Sequence, residues 1–134
     1  MRRIISAGPL PRASGWPASR GPRPFPFGHS RSTYWYCART AIVQGCATLG
    51  LGPADRVLAP AYACGSEIDA LLGAGMALDY YRVAPDLSID LEQLDQLYRV
   101  VRPAPRALFV THYFGFAQDM DAIMEFARER NLMV

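Results

Sequence analysis

The 134 residues contain no lysine, and all fourteen basic side chains are arginine. Arginine stays protonated in proteins, so no side chain here supplies the neutral amine that condenses with a carbonyl group. Cysteine is scarce. Three residues, an odd number without metal-like spacing, indicate neither a disulfide framework nor a zinc site. Cys37 and Cys46 are separated so that one helix would carry them on opposite faces. Free thiols fit a reducing cytosol, and the expected location is cytoplasmic. Long apolar runs are also missing: no stretch of about 18 apolar residues occurs, which argues against a membrane-spanning helix. The N-terminus lacks the continuous apolar core of a secretory signal.

Acid is absent from residues 1–31, which carry Arg2, Arg3, Arg12, Arg20, Arg23 and Arg31. The remainder sets eight arginines against twelve acids, so the overall charge of +2 hides an acidic body behind a basic leader. Such a leader reads as a solvated arm, a nucleic-acid arm or a transit peptide. The acidic body and the lack of aromatic–basic interleaving make nucleic-acid binding, which would weaken steeply with salt, the poorest of these readings.

What is present fits one modest domain. The chain is long enough, at 51% hydrophobic residues, to bury a core. Residues 1–30 hold Pro9, Pro11, Pro17, Pro22, Pro24 and Pro26 and read as an irregular leader, with Phe25 and Phe27 as anchors and His29 exposed. Residues 31–134 read as the folded part. Ser32 or Thr33 can cap a helix in which Tyr34, Ala38, Ala41, Ile42, Gly45, Cys46 and Leu49 recur at helical spacing. Its small inner face permits close packing, and Gly50, Gly52 and Pro53 stop it.

Short strands then alternate with helices. Strands are expected at Arg56–Ala59, Ala77–Val83 and Ala107–Tyr113, with Leu132–Val134 opening another. Helices are expected at Ser66–Leu72 (Ile68, Leu71 and Leu72 inward), at Leu91–Val101 behind a capping box of Asp90 and Gln93, and from Asp119 to Arg130 (Met120, Ile123, Met124 and Ala127 inward). This order predicts an α/β fold, a parallel or mostly parallel sheet with flanking helices. Ligands of such sheets bind beyond the carboxyl ends of the strands. The loops there are Pro60–Ser66, Ala84–Asp86 and His112–Gln118, and the first helix N-terminus can add donors for an anion.

Six segments in this order carry a resemblance: Ala38–Ile42, Ala54–Tyr62, Gly73–Gly75, Tyr81–Val83, Thr111–Gly115 and Asp119–Asp121. Together they resemble the DegT/StrS family of sugar aminotransferases, over roughly residues 25–134. The resemblance implies the aspartate-aminotransferase-like fold (the fold type I large domain) and pyridoxal 5'-phosphate (PLP) as cofactor. It also implies a homodimer that takes a keto-sugar and an amino-acid donor, in polysaccharide or secondary-metabolite assembly. By resemblance, Ala38, Arg39 and Thr40 lie where the family holds the cofactor phosphate. Cys64 takes the place of the aromatic residue that stacks on the pyridine ring, so either Tyr62 substitutes or the stack is lost. His112 belongs to the segment lining the cofactor cleft, or packs beside Tyr113 and Phe114.

Transamination with PLP needs a lysine amine to hold the cofactor and a carboxylate at the pyridine nitrogen. The family carries both beyond the strand that begins at Leu132. No residue is therefore assigned a catalytic or metal-binding role. The chain is expected to be an N-terminal portion, inactive alone and poorly soluble because of an unpaired sheet edge. The alternative is a non-catalytic binding or regulatory module completed by another chain.

Overall fold

The computed structural model describes residues 33–134. The leader, with Ser32, Phe25, Phe27 and His29, lies outside the described residues. Trp35–Val134 form one unit. Its elements are α1 (Ala38–Thr48), β1 (Arg56–Pro60), α2 (Gly65–Gly73), β2 (Ala77–Tyr81), α3 (Leu91–Val100), β3 (Ala107–Leu108), a 3-10 turn (Tyr113–Gly115) and α4 (Met120–Glu129).

The sheet is parallel with strand order β2-β1-β3. Val57 pairs with both Leu78 and Ala107, which fixes the register. Met133 bridges Ala107 in parallel on the far side, so the expected strand after Leu132 does begin to pair there. β1 is central, and Val57, Leu58 and Ala59 are buried. Successive side chains of a strand point to opposite faces, and the core divides accordingly. Leu58, Tyr81, Leu94, Leu108, Ile123 and Phe126 pack on one face, with α3 and α4. Cys46, Val57, Ala59, Leu71, Met76 and Ala107 pack on the other, with α1 and α2. The result is three layers, with helices on both faces of a parallel sheet, as the alternating pattern predicts.

Local chemistry sets the boundaries. Asp90 caps α3 by accepting from the Glu92 and Gln93 amides at 3.0 and 3.1 Å. The expected reciprocal bond is not made: Gln93 Oε1 instead accepts from the Arg82 amide at 3.1 Å, tying α3 to the end of β2. Asp119 caps α4 through the Ala122 amide at 3.2 Å. Gly75 has φ +86, and a Cβ there would stand 3.2 Å from Pro53, so the turn into β2 requires glycine.

Several expectations are corrected. α1 starts at Ala38 behind an extended Cys37, not behind Thr33. The intervening Tyr34, Trp35 and Tyr36 are exposed, have modest helix propensity and gain no burial from a helix. The face of α1 is less buried than its small residues imply, with Ala38 exposed and Cys46 its one buried residue. β2 ends at Tyr81, and Val83 turns to an antiparallel bridge with Ile89. β3 covers two residues, not seven. Even-numbered residues of β1 face β3, and there Pro60 has no amide to donate, so the ladder ends after Phe109 N–H meets Leu58 O at 2.8 Å. In α2, Leu72 is half exposed while Ala70 is buried. In α4, Met124 is exposed and Phe126 takes the inward position, the larger ring covering more apolar surface.

Candidate functional site

The carboxyl ends of β1 and β3 lie side by side, so the loops leaving them meet. Tyr62, Ala63, Cys64 and Glu67 from one, and Thr111, His112, Tyr113 and Phe114 from the other, line a cleft of about 420 Å³. Three residues singled out in the sequence, Tyr62, Cys64 and His112, therefore come together. Arg39 and Thr40 line a separate groove of about 350 Å³ between α1 and α2, with Val43, Gln44, Asp69 and Ala70. Ala38 lines neither.

Tyr113 is the buried pin of the cleft. Its hydroxyl donates to the Tyr62 carbonyl, and the two rings lie 5.5 Å apart, tilted by 38°. Burial raises the Tyr113 pKa, with the Glu67 and Tyr62 charges adding and the Thr111 hydroxyl opposing. Thr111 Oγ1 is nonetheless buried short of hydrogen-bond geometry with any partner. Cys64 is exposed, and its thiol pKa is lowered chiefly by the Ser66 hydroxyl 3.2 Å away, then by the Ser66 amide; the Arg39 charge adds and Glu67 opposes. Arg39 thus acts electrostatically on the cleft although it lines the adjoining groove.

At the start of α1 the Thr40 hydroxyl stands 3.3 Å from Cys37 Sγ and lowers that thiol's pKa, with the Thr40 and Arg39 amides and the Arg39 charge adding. The first turn holds no acid and makes no side-chain cap. The donors that favour a thiolate here also suit a phosphate. The phosphate side of PLP therefore fits the residues present. The aldehyde side does not, since the sequence has no lysine to bond it. Glu67 was not identified from the sequence, and Thr111 stands there only within the resemblance segment Thr111–Gly115, without a role of its own. Glu67 reads there as an ordinary first-turn acid and Thr111 as one residue of an apolar run.

His112 lies at the mouth of the second loop, and its Nδ1 accepts from the Gln118 amide at 3.2 Å. The Gln118 side chain donates in turn to the Leu87 carbonyl at 2.8 Å. Phe114 has φ +54 and is 78% exposed beside Gly115 at φ +88. Among the described residues there is no group of three or more His, Cys, Asp or Glu placed to hold a metal, and no helix long and apolar enough to cross a membrane.

Comparisons with known proteins bear on the family and the fold. Residues 37–134 match the model of the DegT/DnrJ/EryC1/StrS aminotransferase family. A dTDP-4-dehydro-2,3,6-trideoxy-D-glucose 4-aminotransferase from Saccharopolyspora spinosa is 31% identical over 86 residues, 64% of this chain and 22% of its own. GDP-perosamine synthase from Caulobacter vibrioides is 28% identical over 96 residues, 71% of this chain and 25% of its own. Among solved structures, DesV of S. venezuelae superposes with a TM-score of 0.63 at 26% identity, covering 70% of this chain and 25% of that one. A Bacillus subtilis protein solved with bound cofactor PMP gives 0.63 at 27% identity, over 70% and 21%. The chain spans about a quarter of the length of these relatives. With a match that covers most of its residues, the chain belongs to the DegT/DnrJ/EryC1/StrS aminotransferase family.

Proposed function

We propose that these residues form the phosphate side and one wall of the cofactor cleft of a PLP-dependent aminotransferase that delivers an amino group to a keto-sugar. The observation that supports this most is the meeting of the β1 and β3 loops in one cleft beside an uncapped, acid-free helix start, within a chain of this family. When bound, PLP supplies an electron sink and carries the amino group from an amino-acid donor to the acceptor. The roles of this chain's residues are narrower. Thr40 and the α1 amides bind the phosphate, with Arg39 adding positive charge. Tyr62, held against Tyr113, walls the ring side where the family's stacking residue is replaced by Cys64. The lysine and the carboxylate at the ring nitrogen come from sequence outside these 134 residues, in the same polypeptide or in a partner, and the assembled enzyme is a cytoplasmic homodimer.

Two measurements test the reading. Titrating pyridoxamine 5'-phosphate, which cannot condense with amines, into the 134-residue chain shifts NMR resonances of Thr40, Tyr62, Cys64 and His112. No shift at any of these positions overturns the cofactor assignment. Assayed with PLP, an amino acid and a nucleotide-linked keto-sugar, the same chain shows no turnover, and measurable transamination by it alone would refute the claim that the amine lies elsewhere.

A further inference from the structure

His112 has two ring nitrogens and the structure commits only one of them. Nδ1 accepts a hydrogen bond from the main-chain N–H of Gln118 at 3.2 Å. An amide N–H is always a donor, so the nitrogen facing it must carry a lone pair, and in neutral imidazole the proton then resides on Nε2. Nε2 has no partner among the described residues, and the ring lines the cleft with Tyr62, Cys64, Glu67 and Thr111.

The bond is held from both sides. Tyr113 is buried and its hydroxyl is fixed on the Tyr62 carbonyl, which anchors the residue after His112. The Phe116 amide donates to the Tyr113 carbonyl at 2.9 Å and closes the turn. Gln118 is anchored through its side chain on Leu87 O and is followed by the α4 cap Asp119. Seven residues therefore form a loop whose two ends are pinned so that the Gln118 amide faces the His112 ring.

We propose that the Gln118 main-chain amide locks His112 as the neutral Nε2–H tautomer, making it a hydrogen-bond donor to an oxygen acceptor of the ligand in the cleft rather than a base. Gln118 is a positioning residue in this arrangement, and it acts through its backbone. The inference rests on the cleft's being a ligand site, as under Proposed function, but the tautomer itself is a property of the chain alone.

The test separates the two. Long-range ¹H–¹⁵N NMR on the 134-residue chain near neutral pH, with His112 assigned by its loss in His112→Gln, reads the tautomer directly. The expected result is an unprotonated-type Nδ1 and a protonated-type Nε2. The reverse pattern, or two averaged nitrogens, overturns the inference whatever the cleft binds. In the second arm pyridoxamine 5'-phosphate is titrated into three proteins. His112→Gln, whose amide can place a donor near the Nε2 position, binds within about twofold of the parent. His112→Phe binds about fivefold more weakly, the worth of one neutral hydrogen bond. Equal binding by parent and His112→Phe overturns the donor role. Failure of all three to bind, with the expected tautomer present, removes the cofactor reading and with it the assigned ligand, while the tautomer lock stands.

Discussion

Arg130, which follows the last turn of α4, holds Asp95 of α3 through Nε and Nη2, both on Oδ1, at 2.9 and 2.6 Å. Its guanidinium lies 3.9 Å from the Phe126 ring centroid, and Nη1 donates to the Phe126 carbonyl at 3.1 Å. Asp95 Oδ2 accepts from Arg99 Nε at 2.6 Å, so one carboxylate joins two arginines. The two contacts differ in setting, because the Arg130 side chain is 17% exposed and that of Arg99 is 72% exposed. A planar fork stacked on a ring is not replaced by a compact ammonium. Arg130→Lys is therefore expected to lower Tm by about 4–8 °C, the effect of a loss of about 1 kcal/mol in a domain of about 100 residues, because the lysine keeps the charge but not the fork. Arg99→Lys, in solvent, is expected to change it little. Calorimetry on both variants checks this; equal losses would show that the stacked geometry contributes nothing.

The same carboxylate sets an acid limit. Arg130, then Arg99, lower the Asp95 pKa below its ordinary value of 3.8. Arg106, 2.8 Å from Asp55 Oδ2, and the Gly52 amide do the same for Asp55. A carboxyl whose folded pKa is depressed stabilises the fold above its unfolded pKa and loses that contribution as pH falls through the folded one. Stability should hold from neutrality to about pH 5 and decline as pH drops below about 4. Denaturant melts across that range should show a shallower decline for Asp95→Asn than for the parent, and identical slopes would assign the acid sensitivity elsewhere.

The architecture was legible because β1 is apolar at every inner position and each helix carries a cap or a glycine at its ends. Val57, Leu58 and Ala59 can all be buried only in a strand covered on both faces, which states the three-layer arrangement in three residues. What escaped the pattern was local and tertiary. The Ala107–Tyr113 run is apolar throughout, and only its partner's Pro60 explains why the ladder stops at Phe109. Leu72 and Met124 sit at helical spacing, but their helices are rotated toward Ala70 and Phe126 by packing that the spacing does not encode. At the cleft, the rule for parallel sheets pointed to the loops after β1 and β3, and the family resemblance to Tyr62, Cys64 and His112 within them. Glu67, and a cleft position for Thr111, became visible only when two segments about 45 residues apart were brought together.

Tyr81 links the core to the site-bearing strand. It is 1% exposed, and its hydroxyl donates to the Phe109 carbonyl at 2.9 Å, where β3 leaves the sheet. Burial, with the Tyr113 charge adding, raises its pKa above the ordinary 10. A raised folded pKa means the contribution is complete below the unfolded value and is lost as pH rises through the folded one. Tyr81→Phe is expected to cost about 1 kcal/mol near neutrality, with the Phe109 carbonyl left unpaired. Above about pH 10 the variant should lose stability less steeply than the parent. Urea titrations at pH 7 and above pH 10 check both; a variant as stable as the parent at pH 7 would mean that the hydroxyl bond has no net worth.

Arg39 offers the sharpest separation of binding from folding. Its side chain is exposed and forms no ion pair or hydrogen bond with the described residues, yet its charge lowers the thiol pKa of both Cys37 and Cys64. An exposed cation held by no ion pair among the described residues contributes little to the fold. Arg39→Ala is therefore expected to leave the melting temperature unchanged while weakening pyridoxamine 5'-phosphate binding about tenfold or more, as loss of a charged contact to phosphate does. Raising the salt concentration should weaken the parent more than the variant, since screening acts on a charge that the variant lacks. If binding is unchanged while Tm drops, Arg39 is a structural residue of α1 and the phosphate lies elsewhere.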